Sequence, residues 1–182
     1  MSKGPAIILL TLAAAVIAAC SADESNDYST QIARIEQYLD KELAKDTTVY
    51  WVKNEGSFRM TRKNGFGEAL KRGDTLLFTY TGYNFSSYDI RDANIFVTND
   101  STVKWALTDS SLVKNAPARA ALGEDSLLEG LTLGLEGIKA GETCEILFPS
   151  ALGFGSKVIG TIPANCPLAY KVKAEKIIER KE

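Results

Sequence analysis

The stretch that most constrains this chain is 127–138, where leucines and glycines share one period. Leu127, Leu128, Leu131, Leu135 and Ile138 fall on a single helical stripe, and Gly130, Gly134 and Gly137 sit among them. An interior glycine costs a helix up to about 1 kcal/mol relative to alanine. A helix so poor in its own propensity has to be held from outside, by tertiary contacts. Glycine there makes sense where a backbone or a ligand approaches closely. Gly141 ends the segment.

The surface it needs is written around it. Val49–Val52 and Ser57–Thr61 read as strands about a turn at Gly56. Leu76, Phe78 and Tyr80 alternate in 75–80, and Cys144, Ile146 and Phe148 share one side of 143–148. In the last strand Leu168, Tyr170, Val172 and Ala174 alternate with Ala169, Lys171, Lys173 and Glu175, which predicts burial on one side only. Residues 63–73 read as turns, 149–167 as a Gly/Pro-punctuated loop, and 97–126 as a long irregular excursion over the sheet with Trp105, Leu107, Leu112 and Val113 scattered through it. One short helix amid antiparallel strands is an α+β domain, placed at 47–182 with an insertion at about 98–116. Ahead of it, Tyr28, Ile32, Ile35, Leu39 and Leu43 mark a helix over 28–46, capped by Asp27 or Ser29 and expected to pack on its own domain. The length of 182 residues suits one such domain.

The first 19 residues read as a targeting segment. Lys3 precedes an apolar run from Ala6 to Ala19, short for a membrane span of about 20 residues. The run closes on Ile17-Ala18-Ala19-Cys20, which resembles a bacterial lipobox. That resemblance implies lipidation of Cys20, a membrane anchor, and a place in the bacterial cell envelope. Ser21 fits the outer membrane, facing the periplasm or the surface. Residues 20–27 are acidic and apolar-poor, as a tether would be. Cys144 and Cys166 are read as two small buried apolar residues, with a disulfide as the alternative in an oxidising compartment.

Much chemistry is excluded. The chain has no histidine, so it holds no Ser-His-Asp triad, Cys-His pair or His-based zinc site. Lys+Arg of 21 against Asp+Glu of 23 gives a net charge of −2, without the basic excess of a nucleic-acid binder. There is no Walker A loop. Gly153-Phe154-Gly155 begins like a dinucleotide fingerprint but has Val158 at the third glycine position. Neither a cofactor nor a metal is expected.

An ordered series of short motifs then resembles one family. Gly73-Asp74 precedes a strand ending in Tyr80-Thr81-Gly82. Gly123, Leu127-Leu128-Glu129-Gly130-Leu131, Gly134-Leu135, Ile138 and Gly141-Glu142 follow. Ile146 to Gly155, Gly160-Thr161-Ile162-Pro163 and Leu168 to Val172 complete it. This succession, over about 57–178, resembles the FKBP-type peptidyl-prolyl isomerases. It implies an FKBP-like antiparallel sheet wrapped around a short helix, with an N-terminal helical extension.

The resemblance carries over position by position. Tyr80 and Phe96 stand for pocket-wall aromatics. Leu127 and Leu128 match the apolar pair at the helix entrance, where the backbone N–H of Leu128 meets the substrate carbonyl. Leu131 stands where the family usually has a tryptophan floor, Phe154 where it has a tyrosine, and Val97 where it has an aspartate. Ile162 falls in the flap and Tyr170 in the last strand. Tyr80, Phe96, Leu128, Leu131 and Phe154 are thus the implied catalytic set, with Val97, Leu127, Ile162 and Tyr170 binding substrate. The implied activity is cis/trans isomerisation of X-Pro bonds in exported proteins, lowered by the changes at Val97, Leu131 and Phe154. The alternative is a binding or chaperone module without turnover.

Overall fold

The computed structural model describes residues 27–103 and 116–181. Helix α1 (Tyr28–Lys45) leads into strands β1 (Tyr50–Asn54), β2 (Ser57–Lys63), β3 (Phe66–Ala69), β4 (Thr75–Asn84), β5 (Ile95–Thr98) and β6 (Ala118–Ala121). Helix α2 (Glu129–Leu135), β7 (Lys139–Ala140), β8 (Thr143–Phe148) and β9 (Leu168–Ile178) follow. The main sheet has seven strands in the order β1-β2-β8-β9-β4-β5, with β6 also paired to β4. β3 and β7 make a small second sheet. Every pairing within the two sheets is antiparallel.

The main sheet lies between the two helices, each over its own core. On one face α2 covers Phe78, Ile146, Phe148, Leu168, Tyr170 and Val172. On the other, Ile35, Tyr38 and Leu39 of α1 cover Phe58, Met60, Phe85, Leu147 and Ala169. Helix α1 therefore packs on its own domain, as its stripe suggested. Asp27 is the cap, its carboxylate accepting the Ser29 N–H. The stripe is wider than the expected one: Ile32, Ile35, Leu39 and Leu43 all pack on this core, and Gln31 and Tyr38 join them. Tyr38 is buried, whereas Tyr28, the first residue of the helix, is exposed.

The covering by α1 also changes two strands. β8 is buried on both faces for most of its length, and Ala169 at the start of β9 is fully buried rather than facing water. Beneath α1 the Tyr38 hydroxyl donates to Glu145 at 3.3 Å, and Arg62 Nη2 reaches Glu145 at 2.8 Å and Glu42 at 2.9 Å. Burial and the neighbouring Glu145 and Glu42 carboxylates push the Tyr38 phenol well above the usual tyrosine range.

Glycine sets the seat of α2. A Cβ on Gly130 would lie 2.2 Å from Phe148 Cγ, and one on Gly134 would lie 2.2 Å from Ile146 Cγ2. The helix backbone thus rests directly on β8. Ser57 Oγ donates to Gly130 O at 2.7 Å, and Arg59 Nη1 donates to Gly134 O at 3.0 Å and Glu136 O at 2.6 Å, closing the open C-terminal carbonyls. The helix is shorter than its apolar stripe. Leu127 and Leu128 precede it and Ile138 follows it.

Three other expectations change. Residues 63–73, read as turns, contain β3. The irregular stretch 97–126 contains the last residues of β5 and all of β6. Trp105, Leu107, Leu112 and Val113 lie outside the described residues, as do the targeting segment, Cys20 and most of the tether. Cys144 and Cys166 are both free thiols and both buried, so they form no disulfide.

Candidate functional site

The two short strands β5 and β6 share one edge of β4. β5 pairs with its C-terminal half (Thr81↔Thr98, Gly82↔Val97, Tyr83↔Ile95), and β6 pairs with its N-terminal half (Thr75↔Ala121 to Phe78↔Ala118). Phe78 and Tyr80 point to the α2 side, between the two partners. An apolar cavity of about 410 Å³ opens there, bounded by these strands and by the approach and first turn of α2.

Its walls come from six parts of the chain. β4 gives Phe78 and Tyr80, β5 gives Phe96 and Val97, and β6 gives Ala118, Arg119 and Ala120. Ser126, Leu127 and Leu128 form the approach to α2, and Leu131 comes from its first turn. Phe154 comes from the loop after β8, and Tyr170 from β9.

Tyr170 is the hub. Its ring stacks on Phe148 at 5.9 Å, meets Phe96 edge-on at 5.8 Å, and lies 6.1 Å from Tyr80. Perpendicular and offset pairs are the favoured aromatic geometries. Gly82 makes this packing possible. A Cβ there would lie 2.8 Å from Phe96 and Val97 and 2.9 Å from Tyr170. Burial first, and then the adjacent Tyr80, push the Tyr170 phenol above the ordinary tyrosine range. It therefore stays a neutral hydroxyl at physiological pH.

Eight of the nine expected pocket residues meet around this cavity: Tyr80, Phe96, Val97, Leu127, Leu128, Leu131, Phe154 and Tyr170. Ile162 does not join them. It is 2% exposed, sits in the core beneath the loop, and forms a backbone bridge with Ile159. Its part is to shape the loop from within. Sequence reading missed Phe78, Ala118, Arg119, Ala120 and Ser126. Phe78 was marked by its alternation with Leu76 and Tyr80. The β6 residues carry no such signal, because that strand has four residues and two of its side chains line the cavity as methyl groups.

The cavity is chemically plain. Arg119 at the rim is its sole ionic side chain, and no nucleophile lies beside a base among its lining residues. It can take up an apolar ring, strip water from what that ring carries, and offer backbone and phenol donors at its edge. A wider trough of about 590 Å³ lies across β4 and β9, lined by Thr79, Thr81, Asp92, Asp100, Lys171 and Lys173 among others. Its charges are mixed, and its two aromatics, Tyr80 and Tyr83, stand among threonines, with Lys171 Nζ lying 5.5 Å over the Tyr83 ring.

A model of the family described as FKBP-type peptidyl-prolyl cis-trans isomerase matches residues 67–175. The mouse protein named peptidyl-prolyl cis-trans isomerase FKBP2 is 31% identical over 113 residues, covering 62% of this chain and 68% of the mouse protein. FK506-binding protein 4 of Chaetomium thermophilum is 28% identical over 112 residues, covering 62% of this chain. The chain spans about a fifth of the length of such longer relatives, 19% in that case. Among solved structures, FkpA from Escherichia coli superposes with a TM-score of 0.57 at 24% identity, over 85% of this chain and 62% of FkpA. A peptidyl-prolyl cis-trans isomerase from Pseudomonas syringae superposes with a TM-score of 0.56 at 18% identity, over 84% of this chain and 97% of its own. At these identities the two structures speak for the fold.

Proposed function

Because the chain belongs to the FKBP-type peptidyl-prolyl cis-trans isomerase family, we propose that it catalyses cis/trans exchange of X-Pro bonds in exported polypeptides. The observation that carries this reading is the convergence of Tyr80, Phe96, Leu128, Leu131, Phe154 and Tyr170 on one apolar cavity.

The reaction needs no nucleophile, and a chain without histidine suits it. Resonance in the amide C–N bond sets a barrier of about 18–20 kcal/mol for ordinary amides. X-Pro bonds turn over unaided in tens to hundreds of seconds. At mid-rotation the amide has lost its conjugation and its charge separation, so a dry surrounding disfavours the planar form more than the twisted one. Phe96, Leu131 and Tyr170 hold the proline ring by apolar contact. The Leu128 N–H, where the chain enters α2, meets the substrate carbonyl and steadies one side of the bond while the other turns.

The same cavity carries three changes that lower the rate. Phe154 offers no hydroxyl, and one hydrogen bond is worth about 0.5–1.5 kcal/mol net. That is up to about tenfold in rate if the bond acts only in the transition state. Leu131 leaves a wider floor than tryptophan, and Val97 replaces a polar orienting group with an apolar one. These three positions also support a second reading, a module that grips proline-containing segments without useful turnover.

We place this activity at a bacterial envelope membrane, with lipid on Cys20 as the anchor and the acidic stretch 20–27 as the tether. NMR exchange spectroscopy on a Leu-Pro peptide, with the full-length chain in mild detergent, tests the enzymatic reading. Catalysed exchange that disappears in Phe96→Ala and Tyr80→Ala supports it. Peptide binding without faster exchange replaces it with the binding module.

A further inference from the structure

Helix α1 lies outside the segment that matches the family, yet one of its side chains reaches the loop that carries Phe154. Gln31 is 1% exposed. Its Oε1 accepts the backbone N–H of Ser150 at 2.7 Å. Its Nε2 donates to Ser150 Oγ at 3.2 Å and to the backbone carbonyl of Asn165 at 3.1 Å. Ser150 and Asn165 are the two ends of the loop that contains Phe154 and Ile162. One carboxamide therefore clamps both stems.

The loop closes inward from that clamp. Gly153 N–H and Gly155 N–H both donate to Ser150 O, at 2.9 and 2.8 Å, and Asn165 N–H donates to Gly155 O at 2.8 Å. Phe154 is held between the two glycines and faces the cavity. Along the same edge, Gly56 leaves the space in which the Tyr28 hydroxyl and Leu152 lie. A buried amide is unfavourable unless it is bonded, and the Gln31 side chain makes three bonds to the two stems of this loop. The seat of α1 does not depend on it, since Ile35 and Leu39 are fully buried one and two turns further on.

We infer that Gln31 is a positioning residue for the substrate pocket, and that α1 thereby belongs to the pocket machinery. Resting on the isomerase reading above, it acts through Ser150 and Asn165 to set where Phe154 stands against the bound proline.

Gln31→Met keeps the shape of the side chain and removes its bonds, and amide hydrogen exchange with peptide kinetics on the full-length chain tests it. The expected result is exchange at Gly155 and Asn165 faster by about tenfold, with the Ile35 and Leu39 amides unchanged. KM for the Leu-Pro peptide should rise about fivefold while kcat holds, because the proline is gripped less well in every state. Tyr38→Phe, on the same helix as Gln31, loses only its bond to Glu145 of β8 and should move neither readout. Ser150→Ala removes one acceptor and should give a smaller change in the same direction; it also reads the clamp if Gln31→Met fails to fold. Unchanged exchange at Gly155 and Asn165 in these variants, or the same change in Tyr38→Phe, overturns the inference. A wild-type chain without catalysis overturns the isomerase reading instead, and leaves the exchange test of the clamp in force.

Discussion

The side-chain Oδ1 of Asn99 accepts the backbone N–H of Tyr80 at 2.6 Å, doing the work of a missing strand residue on the edge of β4. The Asn99 Nδ2 donates to Phe78 O at 3.2 Å and to Ala116 O at 3.3 Å, and its own N–H donates to Tyr80 O at 3.1 Å. β5 ends at Thr98 and β6 begins at Ala118, so this one residue closes the gap between them. The two aromatic wall residues of β4 sit opposite that gap. Asn99→Asp keeps the shape and the acceptor but loses both side-chain donors and sets a charge against two carbonyls. It should lower stability by about 1–3 kcal/mol in urea unfolding. A change below about 0.5 kcal/mol, the ordinary range of a neutral surface substitution, would show that the edge is satisfied by other groups.

Gly130→Ala sets two effects against each other. Alanine is the better helix former by about 1 kcal/mol. Against that, its Cβ would stand 2.2 Å from Phe148 Cγ and 2.4 Å from Phe148 Cδ2, in a core where Phe148 is fully buried and stacked on Tyr170. Overpacking of this kind costs about 1–3 kcal/mol and sometimes more. The expected net effect is destabilisation, with loss of peptide binding as Tyr170 is displaced. A stabilised Gly130→Ala would mean that α2 can lift off β8 freely.

Phe154→Tyr should raise kcat/KM toward X-Pro peptides by up to about tenfold, the worth of one hydrogen bond made in the transition state. Leu131→Trp should add to it by filling the cavity floor. No gain from either variant over a measurable wild-type rate would sink this account of the pocket.

Asp74 gives the fold an acid-side dependence. The backbone N–H of Arg180 foremost, at 2.9 Å, and that of Lys71, at 3.0 Å, hold its carboxyl below the usual aspartate range. The folded pKa is thus lower than the unfolded one. The stabilisation is complete above about pH 4 and is lost as pH falls through the folded value. Asp74→Asn should be less stable than wild type at neutral pH, with the gap narrowing in acid. A gap that stays constant down to pH values of about 2 would rule this linkage out.

Cys20→Ala should abolish incorporation of labelled palmitate and release the chain from the membrane fraction. Labelling that persists would dismiss the lipid anchor on this residue.

Local patterns carried much of this molecule. Period-two alternation marks β4, β8 and β9, steps of three and four mark α1, and the glycines within the leucine stripe say that α2 must be pressed against something. Those signals are legible because they depend on neighbours a few residues away. The pocket residues were legible in another manner, through ordered motifs, and eight of nine meet around the cavity. What the chain does not display locally is burial that another element imposes. Ala169 and Leu147 are covered only because α1 folds back across the sheet, and Tyr38 replaces Tyr28 on the buried face because Phe85 and Glu145 wait there. Strands β5 and β6 are each four residues long, too short for a period, and exist because β4 has a free edge to pair with. Gln31 and Asn99 read as ordinary polar residues in the sequence. Only the tertiary structure gives them buried partners, since their bonds reach 119 and 134 residues along the chain for Gln31 and 19 for Asn99 to Tyr80. A periodicity records which face of an element is apolar; which polar group must meet which is decided when distant backbone is brought out of water and has to be satisfied.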